Sequence, residues 1–118
     1  MAYTAVFYES EDGDKPVEEF LDSLNKAQKG KVIRLIEILE TLGHNIPFPY
    51  SSQIQGRLTE LRTQLGKEKI RLLYYAASDR AYVILHGFIK RTSKVPEDAI
   101  RIALNRMEDH EERLRRTK

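Results

Sequence analysis

The chain has 118 residues, of which 41% are hydrophobic and 32% are charged, and its formal net charge is +2. This length and composition predict one soluble globular domain over residues 1–118 and exclude a disordered chain. The absence of cysteine excludes disulfides, thiol catalysis and thiolate metal sites. Because no apolar run approaches the ~20 residues of a membrane span and no signal-peptide pattern is visible, we expect a cytoplasmic protein without membrane contact.

The first half of the chain predicts a strand followed by two helices. Residues 3–8 are β-branched and aromatic, which favours a strand. Pro16 stands at a first helical position and is followed by apolar residues at helical spacing. A longer apolar stripe over residues 32–42 is preceded by a capping box at Asn25 and Gln28 and closed by Gly43. The two prolines of residues 44–53 then predict an extended surface connection.

The second half predicts three strands and a closing helix. Strand-like runs at 57–64, 69–76 and 81–90 are joined by short polar turns, which is typical of an antiparallel meander. Pro96 begins the last amphipathic helix, whose charged end is expected to fray. The order β-α-α-β-β-β-α therefore predicts an α+β domain with helices packed on one face of a mostly antiparallel sheet.

Positive charge is concentrated in the meander. Residues 54–94 hold nine Lys/Arg and three Asp/Glu, whereas the rest of the chain is mildly acidic. Guanidinium groups on a rigid sheet, such as Arg62 and Arg71, can grip phosphate oxygens, although both could instead pair with neighbouring carboxylates. Lys90, Arg91 and Lys94 add three cations at a strand end, where the alternative is an ordinary solvated turn.

Few other residues carry chemistry. Side-chain alternation groups His86 with Ile84, Phe88 and Lys90, and a buried structural histidine is the alternative to a catalytic one. Tyr75 is a core residue or a tyrosine that stacks on a base. The three histidines are widely spaced and no nucleotide-binding or hydrolase motif is present, so we expect neither a metal nor a cofactor.

Several short patterns carry a family resemblance when they are taken in order. They are Leu-x-Glu-Leu-Arg at residues 58–62, Ile-Arg-Leu-x-Tyr at 70–74, and Leu-His-Gly-Phe-x-Lys at 85–90, which leads through Thr92 and Pro96 into a helix containing Ala103. In this the chain resembles the HigB-like, phage-derived branch of the RelE/ParE toxin superfamily. The opening strand and the helix begun by Pro16 also fit, so the resemblance spans nearly the whole sequence.

The resemblance implies a RelE-like fold and the toxin of a type II toxin-antitoxin system. Such toxins are metal-independent, ribosome-dependent mRNA endonucleases that inhibit translation, and each is silenced by an antitoxin, here a HigA-like helix-turn-helix protein. Carried over by position, the resemblance implies catalytic roles for Arg71, Lys90, Arg91 and His86. Arg62, Lys94, Lys69 and Tyr75 are the implied RNA contacts.

One departure from the family leaves the acid/base chemistry open. RelE-type enzymes place a tyrosine at the start of the final helix, where this sequence has Val95 and Pro96. His86 could replace that tyrosine, or no protein group does. On this reading Arg71→Ala should leave the fold intact and abolish mRNA cleavage. The alternative functions are a ParE-like inhibitor of DNA gyrase and a non-catalytic RNA-binding protein of phage origin.

Overall fold

The computed structural model describes residues 2–117. Five strands and three helices follow in the order β1 (Thr4–Phe7), α1 (Pro16–Asp22), α2 (Lys26–Leu42), β2 (Ser51–Gln55), β3 (Leu58–Leu65), β4 (Glu68–Ser78), β5 (Ala81–Lys90) and α3 (Glu97–Arg116). The predicted α+β class, the first strand, the three helices and the three strands of the meander are confirmed. Within the described residues, no helix is long and apolar enough to cross a membrane.

The strands form one mixed sheet in the order β1-β5-β4-β3-β2. β2 to β5 are antiparallel neighbours, whereas β1 lies parallel to β5 at the opposite edge. The prediction that residues 44–53 form only an extended connection was wrong, because Ser51–Gln55 pairs with β3 as an edge strand. The pattern was hard to recognise because this polar, half-exposed strand buries no continuous apolar face.

Helix ends follow the local sequence closely. The side chain of Asn25 accepts a hydrogen bond from the Gln28 N–H, and the Gln28 side chain accepts one from the Asn25 N–H, so the capping box is present. Gly43 ends α2 with a positive φ of 55°. The predicted fraying of the last helix was wrong: α3 continues to Arg116, and a bond between Arg113 and Asp109 links successive turns near its end.

Helices cover both faces of the sheet, which corrects the expected one-sided arrangement. Apolar residues of α1 and α2 pack with Ile70, Leu72 and Ile84 on one face. Ala99 and Ala103 of α3 pack with Leu73 and Leu85 on the other face. The physical reason is that β4 and β5 are apolar on both faces, so each face needs its own helical layer.

A β-bulge in β5 determines where His86 points. Leu73 is opposite His86 while Tyr74 is opposite Ile84, so Leu85 is the extra residue of the pair. The bulge shifts the alternation, and Ile84 faces α1 and α2 whereas His86 faces α3. The predicted grouping of Ile84 with His86 was therefore wrong, but His86, Phe88 and Lys90 remain on one face.

A glycine in β5 allows α1 to approach the sheet. A Cβ atom built on Gly87 would overlap the ring of Phe20, which projects from α1, and would lie 3.0 Å from Leu72. The absence of a side chain at this position thus sets the distance between α1 and β5. Because Gly87 stands between His86 and Phe88, the packing of Phe20 against it also holds this part of β5 in place.

Candidate functional site

Four cations meet where β4 begins and β5 ends. Lys67, Lys69, Lys90 and Arg91, called here the strand-end cluster, border a depression of about 420 Å³. Antiparallel register places Lys69 directly opposite Lys90. Like charges in opposite positions on neighbouring strands repel each other, so this pair is unfavourable unless an anion lies close by.

The strand-end cluster is only partly neutralised by protein groups. Arg91 lies 3.3 Å from a carboxylate oxygen of Glu68; the Arg91 side chain is largely exposed and that of Glu68 is half-buried. No carboxylate lies within ion-pair distance of the other three cations in the part of the chain that the structure describes. Lys94 is exposed on the following loop, where its carbonyl accepts a hydrogen bond from Thr92. The cluster is therefore an open site of positive charge.

Arg71 lies two residues along β4 from Lys69, on the same face, but it is buried. Its Nη1 donates to the carbonyl of Thr63 at 2.8 Å and to that of Ile70 at 3.0 Å. Only 4% of the residue is exposed. The guanidinium is thus held flat against β3 and β4 and does not project toward solvent.

A buried carboxylate joins the two arginines of the sheet. Glu60 lies 3.8 Å from Arg71 Nε and 3.7 Å from Arg62 Nε, and register places the two arginines opposite each other. Burial lowers the pKa of Arg71, while Glu60 acts to raise it and Arg62 to lower it. The Arg71 Nε and Glu60 Oε2 atoms are buried without a hydrogen-bond partner, so the pair is held by charge and geometry alone.

His86 is kept neutral by its surroundings. Arg106 of α3 donates to the Leu85 carbonyl at 2.9 Å and lies 3.3 Å from His86 Nδ1. Burial and then the Arg106 charge lower the pKa of His86 to about 4. Since arginine can only donate, Nδ1 is the acceptor and the neutral ring carries its proton on Nε2. The ring also stacks on Phe88, with centroids 5.7 Å apart.

Tyr75 offers no surface to a nucleic acid. It is fully buried, with the Arg57 guanidinium 4.9 Å from its ring centroid and the His110 ring at its edge. Burial and the Glu111 charge raise the pKa of its hydroxyl. A base therefore cannot reach the Tyr75 ring in this conformation.

The structure brings most of the predicted residues together on one face of the sheet. Strand register aligns Lys69 with Lys90, Arg71 with Phe88 and Arg62, and Leu73 with His86. Arg91 borders the same depression as Lys69 and Lys90, and Lys94 is exposed three residues further along the chain. Sequence reasoning missed Arg106, although its spacing from Ala99 and Ala103 places it near the buried stripe of α3.

Metal chemistry has no support from residue geometry. Among residues 2–117, no three His, Cys, Asp or Glu side chains come together in a way that could hold a metal ion. The face can supply positively charged lysines and the N–H donor of the neutral His86 ring. It also carries guanidinium groups, of which Arg91 is exposed and Arg71 is buried. These are the groups that bind and stabilise phosphate.

Comparison with known proteins identifies the family. Residues 19–108 match the profile of the family described as phage-derived protein Gp49-like (DUF891), a span that runs from α1 into α3 and includes the whole candidate face. No curated protein matches the chain significantly. The chain belongs to the phage-derived Gp49-like family, which is a RelE/toxin-like family.

Proposed function

We propose that this protein is the toxin of a type II toxin-antitoxin system and that it inhibits translation by cutting mRNA on the ribosome. The observation that carries this proposal is the strand-end cluster, with Lys69 and Lys90 directly opposite each other. Membership of a RelE/toxin-like family supports the same reading.

A polyanion can neutralise the positive charge of the strand-end cluster more fully than the one carboxylate paired with it among the described residues, that of Glu68. A phosphate lying between Lys69 and Lys90 would replace their repulsion by two attractive contacts. RNA presents such phosphates in series, so the scissile phosphate can lie between Lys90 and Arg91 while the neighbouring phosphate lies between Lys90 and Lys69. The exposed end of the sheet therefore supplies the electrostatic part of RNA binding.

The same groups can stabilise the transition state of RNA cleavage. Attack of the ribose 2′-OH on the adjacent phosphate forms a P–O bond, breaks the bond to the 5′-oxygen, and concentrates negative charge on the phosphoryl oxygens and the leaving oxygen. Each well-placed donor is commonly worth about 100-fold to 1,000-fold in rate. Lys90 and Arg91 are the proposed contacts to the phosphoryl oxygens, and Lys69 and Lys94 hold neighbouring phosphates.

His86 enters this scheme as a hydrogen-bond donor. With a pKa of about 4 it is a weak base near neutral pH and is not an imidazolium acid. Its Nε2–H can donate to a phosphoryl oxygen, while Arg106 fixes the opposite side of the ring. Arg71 is buried in this conformation, so it contributes positive charge to the site without contacting the RNA.

Dependence on the ribosome follows from the weak acid/base chemistry of the face. His86 has a pKa lowered to about 4 and Tyr75 is buried, so neither of these two groups is poised to exchange a proton near pH 7. Holding the 2′-OH in line with the phosphate is then the main route to a fast reaction, and effective molarities of about 10⁵ M or more are available from alignment. We infer that the ribosome provides this alignment and that a HigA-like helix-turn-helix antitoxin restrains the toxin.

The test compares the wild-type protein with Lys69→Gln/Lys90→Gln. Wild type should arrest growth, and mRNA should be cut in a reconstituted translation reaction, whereas the double variant should do neither at the same protein level. Lys26→Gln/Arg115→Gln, which removes two exposed cations at the start of α2 and near the end of α3, is the matched charge control and should behave as wild type. Arg71→Ala is a poor first variant, because it would leave the buried Glu60 carboxylate with only the more exposed Arg62 as an ion-pair partner.

Two alternative outcomes would redirect the assignment. Inhibition of DNA supercoiling by purified gyrase, with translation unaffected, would indicate a ParE-like function. Salt-sensitive RNA binding without cut ends would indicate a binding protein that has no nuclease activity.

A further inference from the structure

The outer edge of β3 is open beyond the end of β2. Strand pairing ends at Ser51 opposite Leu61, and the last contact is the Arg62 N–H donating to the Tyr50 carbonyl at 2.8 Å. A pocket of about 270 Å³, called here the edge pocket, opens beside this point. Its lining includes Lys31 of α2, which donates to the Gln64 carbonyl at 2.9 Å.

The edge pocket is positively charged. Lys31, Arg62 and Arg71 line it, and none of its described lining residues is acidic. The nearest identified carboxylate is that of Glu60, which is buried behind the two arginines and shared between them. The pocket therefore carries more positive charge than the adjoining protein neutralises.

Aromatic side chains stand at the rim of this charged pocket. Tyr50 is 43% exposed and also lines an adjoining cavity of about 580 Å³ that contains Arg34 of α2. Phe48 is 71% exposed, and the Arg62 guanidinium lies 5.2 Å from its ring centroid. Exposed rings next to cations are the combination that binds single-stranded nucleic acid, because a base stacks on the ring while the cations hold its phosphates.

We propose that the edge pocket is a nucleotide-binding subsite for single-stranded RNA, in which Tyr50 stacks on a base and Lys31 and Arg62 contact the adjoining phosphate. Phe48 is a positioning residue, since its ring holds the Arg62 guanidinium at the pocket rim. The inference rests on the proposed function and adds to it a second site that lies away from the strand-end cluster.

Position on the sheet connects the two sites. Arg71 lines the edge pocket and lies two residues from Lys69 on the same strand and the same face, a separation of about 7 Å along the strand. Gln64, which lines the edge pocket, is paired with Lys69 of the strand-end cluster, so the two sites are neighbours on the sheet and one RNA chain can contact both. The edge pocket would then hold a nucleotide that flanks the cut.

The experiment measures binding of the full-length protein to short single-stranded RNAs that carry 2-aminopurine at each position in turn. We expect 2-aminopurine fluorescence to be quenched at one position by stacking. Tyr50→Leu should remove this quenching and weaken binding by roughly 5-fold to 150-fold, the range measured for loss of one base–aromatic stack. Tyr50→Phe retains the ring and should bind like wild type.

Two further variants separate stacking from general effects. Val6→Ala changes another exposed apolar residue, on β1 at the opposite edge of the sheet, and should have no effect on RNA binding. Phe48→Leu should weaken binding less than Tyr50→Leu and should leave the quenching in place, because it releases Arg62 and keeps the stacking ring.

The outcomes distinguish this subsite from the proposed function itself. If wild type cuts mRNA on ribosomes and Tyr50→Leu binds and quenches as wild type does, the subsite is refuted and the nuclease assignment stands. If Tyr50→Leu loses affinity only for the antitoxin, the edge pocket is a protein interface and the proposal is overturned. If wild type neither binds nor cuts RNA, both proposals fall together.

Discussion

The lysine pair at the end of the sheet gives the sharpest quantitative prediction. Each phosphate that a protein neutralises on a single strand contributes about −0.7 to the slope of log affinity against log salt concentration. Replacing Lys69 and Lys90 by glutamine removes two such contacts, so the slope should become less steep by about 1.4. Over a fourfold increase in salt, wild type should therefore lose about 7-fold more affinity than the variant.

The same double variant should lose RNA affinity without losing stability. Removing two like charges that face each other across β4 and β5 relieves repulsion, so the double variant should be as stable as wild type or more stable by at most about 1 kcal/mol. Fluorescence anisotropy with a labelled RNA at several salt concentrations gives the slope, and urea unfolding gives the stability. Equal salt slopes for the two proteins would refute the reasoning, because they would show that neither lysine contacts phosphate.

Three further predictions concern the groups around this site. Glu60→Gln should lower the free energy of unfolding by about 3–5 kcal/mol, measured by urea unfolding, because it leaves the buried Arg71 charge unpaired. His86 has a folded pKa of about 4 against an ordinary value near 6.5, so the folded state binds fewer protons and stability should fall as pH drops from about 6.5 to 4, by up to about 3 kcal/mol in thermal unfolding. Gly87→Ala should destabilise the protein by about 1–3 kcal/mol in the same assay, because the methyl group overlaps the side chain packed against it.

Each of these three has a control within the chain. Replacing Glu60 and Arg71 together by apolar residues should recover much of the stability lost in Glu60→Gln, and equal losses would contradict a paired role. His86→Gln should flatten the acid side of the stability profile; an unchanged profile would assign that loss to other groups. Gly30→Ala, which meets open space on α2, should be neutral or stabilising by up to about 1 kcal/mol, so similar losses at both glycines would exclude steric overlap as the cause.

The parts of the fold that the sequence predicted are those with a strong local pattern. The capping box at Asn25, the apolar stripe of α2 and the three strands after Gly56 each carry a periodicity or a turn residue that specifies the element. β2 was not predicted, because its polar residues have no buried face of their own and the strand forms by pairing with β3. Likewise, the position of α3 on the second face depends on the chain path and not on α3 alone.

Most residues of the candidate site could be named from the sequence, but the burial and contacts of their side chains could not. Strand alternation predicted that Arg71 shares a face with Leu73 and that His86 shares one with Lys90, but the register that joins these groups on one face comes from the structure. The bulge at Leu85 could not be read from the sequence, and it decides that His86 meets Arg106. Burial of Arg71 was equally hidden, since it depends on the carbonyls of two strands and on a carboxylate from a third position.

Mapping where ribosome-bound mRNA is cut, and identifying the terminal groups of the fragments, tests the central proposal most directly. Translating ribosomes are incubated with the purified protein, and the new RNA ends are mapped and their termini identified. The account predicts cuts within the codon in the ribosomal A site, with a 2′,3′-cyclic phosphate on the upstream fragment, and only when ribosomes are present. Intact mRNA in the presence of a protein that still arrests growth would contradict it.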